Sequence, residues 1–450
     1  MISWFRKLWQ DKRGNAIMIA GAMLPLVVGA AGLATDTIQW TLWKRQLQRA
    51  ADSAAIAGVY TRQAANGATS GVSAAVSHDL TIDNHVWMAL KTGFPQVTFP
   101  ADSGVKTNQV QVTLAIQQRL PFSSMFMAAP PTIRAVSTAA TVPAGGFPCF
   151  DATDTSAVIG LNFSGNASIE SPDCDGFSNA NSANTSVAKG SSDISLRTIG
   201  GVGGIQQSNN FHVSAYRPYS PPIPDPFASV TPDPSAMKCD VGVTTTKGKN
   251  TTTTYGAYAL SDSDNGNVGN LKTSDGSTAN CFSSISVASN RTLVLPDNQT
   301  YYVNGGDLDI QGSLSCNSCT IVLTNKSAAS PIGNIKVNAS AAINMTAPNT
   351  GTYKGIAIYQ DRRATDCNNC NKINGNSGSI VQGALYFPSR ELEYNGTGTT
   401  SAICTMFVAK RLNFSGNSAT SNKFRGMDDP VCAAYGLGGG QRILMVRLVG

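Results

Sequence analysis

The segment TLVLPDNQTYYVNGGDLDIQGSLSCNSCTIVLTN, residues 292–325, is built from short apolar triplets parted by polar turns. Leu293-Val-Leu, Tyr301-Tyr-Val, Leu308-Asp-Ile and Ile321-Val-Leu are the first of them. The same grammar continues in Ile335-Lys-Val, Ile343-Asn-Met, Ile356-Ala-Ile, Ala384-Leu-Tyr, Leu392-Glu-Tyr, Met406-Phe-Val and Leu412-Asn-Phe. Several triplets recur at offsets of 20–22 residues: 301 to 321 to 343, 335 to 356, 384 to 406, and 392 to 412. The hexapeptide LNFSGN occurs at 161–166 and again at 412–417. Short strands at such a period predict a right-handed parallel β-helix, each coil burying its apolar residues against the next. Asn and Ser favour the bends, and inward copies can stack as ladders. A β-sandwich is the alternative, and would need longer alternating strands.

This β-rich reading divides the body into a first part at 147–215 and a second at 281–450. Between them, 216–280 holds RPYSPPIPDPFASVTPDP and then TTTKGKNTTTTYGAY. Prolines bar a central strand, and the Thr tract lacks an apolar period. It reads as an extended crossing segment plus a surface loop. All ten cysteines lie between Cys149 and Cys432. An even number in an exported body reads as disulfides. Proximity pairs Cys316 with Cys319, Cys367 with Cys370, Cys149 with Cys174, Cys404 with Cys432, and Cys239 with Cys281 across the insertion. Sequence alone does not fix that connectivity. The CxxC pairs lie too far apart for a compact zinc ribbon, and no thioredoxin-like context surrounds them.

Upstream, residues 66–146 read as a small α/β unit. Residues 69–80 are a short helix candidate, and strands are expected at 110–118 and 132–142. Further upstream, an uninterrupted apolar run covers 16–34. As a helix it rises about 28 Å, close to the ~30 Å of a bilayer core. Lys12 and Arg13 abut the run, whereas Lys44, Arg45 and Arg49 lie well past its end. This asymmetry places 1–13 as a cytoplasmic tail, 14–35 as the transmembrane helix and the bulk of the chain in the periplasm. A cleaved signal peptide is the alternative, although its apolar region is usually shorter. Residues 36–65 continue as a helical rod, with Trp43, Leu47, Ala51, Ala54 and Ala57 or Gly58 on one stripe. That stripe suits either a partner helix or the chain's own downstream domain.

The arrangement KRGNAIMIAGAMLPLVVGAAGLATD at 12–36, followed by LQRAADSAAIAG at 47–58, resembles the N-terminal region of TadG-like proteins. The landmarks are Arg13-Gly14, the apolar span, Asp36 beyond it, and Leu47-Gln48 leading to Ala51-Asp52-Ser53-Ala54-Ala55. The resemblance implies a membrane-anchored member of the bacterial Flp (Tad) pilus-assembly machinery. It also implies a helix followed by a pair of long strands, reaching to about 146. Prepilins of that system carry Glu five residues after the processing glycine, where this chain has Ile19. The departure implies an unprocessed assembly component rather than a pilin subunit.

Charged residues make up only 13% of the chain, and the net charge of +6 is spread thinly over 450 residues. Without a basic run beyond the N-terminal flank, no nucleic-acid partner is expected. The 42% hydrophobic content is enough to build a core, so the body is not disordered. His78, His85 and His212 stand in no catalytic motif. Asp151-Ala-Thr153-Asp154-Thr155 has the spacing of the Asp-x-Ser-x-Ser metal motif of longer relatives, with Thr at both serine positions. It lacks the flanking strand and helix pattern, so metal-dependent adhesion is not expected. Asp307, Asp309, Asp361, Arg362, Arg363, Arg390, Glu391 and Glu393 lie on or beside expected strands, as polysaccharide-active β-helices would require. A solvated outer face accounts for them equally well.

The chain is therefore expected to be mainly β and not an enzyme, with no catalytic, cofactor-binding or metal-binding residues and no cofactor. Its expected role is structural, in Flp-type pilus assembly at the bacterial inner membrane, beside other pilus-assembly proteins. A surface or glycan-binding adhesin is the alternative, and a polysaccharide-active enzyme a more distant one.

Overall fold

The computed structural model describes residues 15–84, 89–374, 379–395, 403–416, 419–420, 424–438 and 442–449. The flank with Lys12 and Arg13, and His85, lie outside the described residues. The chain is mainly β and divides into two compact units, Met1–Val142 with Val446–Gly450, and Pro143–Met445.

The first unit is organised by helix α1, Asn15–Ala64. Ala, Leu and Met favour the helix throughout, and at 1.5 Å per residue it is about 75 Å long. Pro25 sits within its apolar half. There Met23, Leu24, Leu26, Val27, Val28 and Leu33 are each exposed over more than half their surface. In the other half, Trp43, Leu47, Ala50, Ala51, Ala54, Ala55 and Val59 are buried. They pack with α2 (Val72–His78) and with strands β2 (Thr107–Gln117) and β3 (Thr132–Pro143). The small-residue stripe therefore serves the chain's own domain. Gly58 carries its closest approach, since a Cβ there would sit 2.9 Å from Val110 and 3.2 Å from Val72. Strand β1 (Gln96–Thr98) and the last strand, Leu444–Leu448, complete an antiparallel sheet in the order β1, β2, β3, last strand.

The second unit falls into parallel ladders. One runs through Ala259–Ser261, Ser284–Val287, Leu308–Ile310, Ile335–Val337, Asn371–Ile373, 392–394, 412–414, Leu161–Phe163 and Ser186–Ala188. A second carries Thr292–Val294, Ser313–Cys316, Ala342–Thr346 and 380–382. A third links Cys281–Phe282, Thr300–Asn304, Thr320–Thr324, Ile356–Gln360, 384–386 and 405–409 to 150–152, 175–178 and 198–200. The triplets are the strands of these ladders, and their outer residues fill one continuous core.

Some expected register partners are found and others are not. Tyr301 pairs with Ile321, Ala384 with Met406 and Leu392 with Leu412. Ile321, however, pairs with Ile358 rather than Ile343, whose partner is Leu314. Ile335 pairs with Leu308, and Ile356 with Ala384. The turns at 325–334 and 347–355 lengthen these connections, so a uniform period fails there.

Stacking order departs from chain order. Strand Pro148–Ala152 lies against Thr405–Phe414, so the body's first strands abut its last long one. From there the stack grows outward to Phe211–Arg217. Residues 218–258 then carry the chain to the ladder that starts at Ala259. Within that crossing, the Thr tract is not a plain loop. Val241–Lys247 and Asn250–Gly256 form an antiparallel hairpin turning at Gly248, whose φ is 62°. β-branched Thr suits a strand even when no face is buried, and Gly permits the two-residue turn. Thr244 and Thr253 hydroxyls meet at 2.9 Å across the hairpin, which is exposed from turn to base except at Val241 and Gly242.

Candidate functional site

Most of the charged strand residues are engaged by neighbouring side chains or carbonyls. In the ladder through Leu308–Ile310, the middle residue of each apolar triplet stacks on its counterpart. Asp309, Lys336, Lys372, Glu393, Asn413 and Asn162 follow in register. Opposite charges one strand apart attract. Lys336 contacts Asp307 at 2.7 Å, and Lys372 contacts Glu393 at 3.0 Å. Asp361 is 3% exposed and accepts from Thr324 and Arg363, both at 2.7 Å. Burial works against its charge, but the Arg363 and Thr324 hydrogen bonds win and hold its carboxyl below the usual range. Arg390 is buried and donates to the Thr365 carbonyl at 2.7 Å. Burial pushes the Glu391 carboxyl up, opposed by Arg411 at 3.8 Å.

An entirely solvated outer face is thus corrected. Asp309 is half-exposed, but Glu393, Asp361 and Arg390 are buried in paired or hydrogen-bonded positions. Arg362 faces the crossing segment, meeting Asp225 at 2.8 Å and the Ala228 carbonyl at 2.7 Å. Tyr386 lies under its guanidinium, 5.4 Å from the ring centre, and donates to Asp225 at 2.6 Å. Tyr359 donates to the Val230 carbonyl at 2.9 Å. These contacts lock 225–230 onto the ladders.

Beside that clamp lies Asp151, the first residue of the Asp-Ala-Thr-Asp-Thr string. Asp151 is fully buried, and neither carboxyl oxygen has a hydrogen-bond partner. It lines a cavity of about 100 Å³ with Phe147, Pro148, Pro226, Phe227 and Met427. Burial, and then the charge of Asp225, push its pKa well above the ordinary carboxylate value. Thr153 donates to the Ala409 carbonyl at 3.2 Å, and Asp154 pairs with Arg411 at 2.7 Å. The motif residues are thus drawn to different partners. The buried acid could have been suspected from PCFDA, an aspartate inside an apolar strand, whereas its cavity depends on the crossing segment. His78 and His212 sit in exposed pairs with Asp83 and Asp193, at 3.3 and 3.1 Å.

The cysteines form the five expected disulfides: Cys149–Cys174, Cys239–Cys281, Cys316–Cys319, Cys367–Cys370 and Cys404–Cys432. Cys316 and Cys319 lie near the Asp297 carboxylate, but with their sulfurs joined neither is a thiolate ligand.

The remaining candidate surface is α1 itself, the one helix among the described residues long and apolar enough to cross a membrane. Its exposed apolar half and its domain-packed half meet near Asp36. Residues 14–68 match the Tad family model, Flp pilus-assembly TadE/G-like. No curated protein and no solved structure matches the chain. The TadE/G-like match covers α1 and stops before α2, leaving the β-rich second unit outside it. The TadE/G-like segment and an apolar helix together fit a component of a Flp/Tad pilus system.

Proposed function

We propose that the chain is a single-pass, membrane-anchored structural component of Flp/Tad-type pilus assembly, with its N-terminus cytoplasmic and its body periplasmic. The observation carrying this reading is the coincidence of the TadE/G-like match, 14–68, with the two-part helix α1. Five disulfides support an oxidising compartment for the body. Successive parallel ladders with a shared apolar core support a right-handed parallel β-helix as its architecture. Its contribution would be an interaction surface for other assembly proteins rather than turnover. The engagement of Asp307, Asp361 and Glu393 by cations or hydrogen bonds supports that side of the reading.

A reporter fusion after residue 60 tests the topology. A reporter that works only in the periplasm should be active there, and activity of a cytoplasmic reporter overturns the orientation. Loss of the gene should abolish Flp pili, with restoration by the full chain. Restored piliation by a chain lacking 143–445 would remove the body from the proposal. Specific retention of the body on a glycan array, with pili unaffected, would favour the adhesin reading.

A further inference from the structure

The β2–β3 hairpin runs alongside α1 in a defined direction. Arg62 donates to the Gln109 carbonyl at 2.7 Å, Gly58 packs on Val110, and Gln48 donates to the Val136 carbonyl at 3.0 Å. At the other end, Asp36 receives the Phe122 amide at 3.2 Å and the Ser123 hydroxyl at 2.6 Å, together with the Ser123 amide. The closed end of the hairpin is therefore fastened to the helix just past Ala34, the last residue of the apolar run. Gly32 extends the attachment into that run, because a Cβ there would overlap the Phe122 ring. The Asp36 side chain, only 3% exposed, is used up in this clamp.

What the clamp holds is an apolar tip. Residues 121–133, PFSSMFMAAPPTI, contain no charge. Met125 is 76% exposed, Phe126 84% and Met127 48%, while Ile38 and Trp40 of α1 are exposed just beyond Asp36. Exposed apolar side chains concentrated in one short tip mark a contact surface. Trp and Phe at the end of a membrane span suit the headgroup boundary.

We propose that residues 121–129 are a membrane-interface anchor, with Met125, Phe126 and Met127 entering the leaflet from which α1 emerges. Asp36 sets the depth by tying the tip to the end of the span. This rests on the reading of α1 as a membrane helix. A lipid surface is the fitting occupant because the tip continues the exposed apolar surface of α1.

The test uses the full chain in vesicles of phosphatidylcholine and phosphatidylglycerol. The described native cysteines are all in disulfides, so an introduced thiol takes a nitroxide selectively. Labels at Phe126→Cys and, separately, Met125→Cys report the tip. Leu26→Cys reports the middle of the apolar run, and Val105→Cys the opposite end of the hairpin. The tip labels should be at least threefold more accessible to oxygen, relative to a water-soluble nickel chelate, than Val105→Cys. Adding Asp36→Ala should lower that ratio at Phe126→Cys while leaving Leu26→Cys unchanged. If Leu26→Cys lies in lipid but both tip labels match Val105→Cys, the anchor is overturned and the span stands. Tip labels shielded from both reagents indicate protein cover and overturn the anchor equally. A Leu26→Cys label in water removes the membrane helix and the anchor with it.

Discussion

Asn162 donates to Asn413 at 2.8 Å, joining residues 251 apart at the same position of two identical hexapeptides. Their neighbours Phe163 and Phe414 stack with ring centres 5.3 Å apart. The two LNFSGN copies are adjacent rungs, in register from Leu412–Leu161 through Phe414–Phe163. Backbone closeness continues at Gly165, where a Cβ would sit 3.1 Å from the Gly416 amide nitrogen. Replacing Phe414 by Ala should empty this junction and cost about 3–5 kcal/mol, measured by urea unfolding of the body. An unchanged midpoint would mean that the repeat is not a structural joint.

Ile321 is fully buried, with Tyr301 and Ile358 as its neighbours in register. Ile321→Asp should bury an unpaired charge at a cost comparable to the stability of a domain. The expected result is protease sensitivity throughout 143–445, read by limited digestion. Asp309→Ala, at a half-exposed ladder position, should leave the digestion pattern unchanged.

Arg362 has several acceptors on the crossing segment, including Asp225 and the Ala228 carbonyl. Arg362→Ala leaves them without their donor and should cost about 2 kcal/mol, given the partial exposure of the pair. Cleavage should appear first within 218–232, while the ladders stay intact. Arg362→Lys should rescue little, because one ammonium cannot replace a planar fork.

Asp151 makes stability depend on pH. Its folded pKa is raised above the ordinary value of 3.8, by burial and then by Asp225, so the folded state favours the protonated form. Its contribution is fully present below about pH 4 and is lost as pH rises toward the folded pKa. Relative to Asp151→Asn, the wild-type body should lose stability steadily above about pH 4. Urea unfolding of both proteins across pH 4–8 gives this difference, and a flat difference would place the carboxylate in contact with solvent.

The apolar triplets made the short strands and their parallel stacking legible, because Leu-x-Ile and Leu-x-Phe bury alternate residues whatever surrounds them. The junction of distant segments was visible only as the LNFSGN duplication. Register beyond it depended on turn lengths, which is why Ile321 and Ile343 proved not to be partners. On α1, spacing exposed the Ala stripe but not its occupant, since a small-residue face fits a foreign helix as well as Val72 and Val110. The charged residues misled for a related reason. Strand alternation gives the face, yet burial of Asp361 and Glu393 comes from neighbouring strands and from residues distant in the chain. The Asp225, Arg362 and Tyr386 clamp had no local signal at all.

The placement of 148–152 against 405–409 has a consequence for a chain delivered N-terminus first. Residues 148–217 are synthesised long before their neighbour on that side, so Phe150 and Leu161 begin on an open sheet edge. Unpaired edges invite pairing with other chains, and closing one across so long a separation is slow. The strand at 405–414 is therefore the keystone of the body: it pairs with 383–394 on one side and with 150–152 and 161–163 on the other, and without it both neighbours present an unpaired edge.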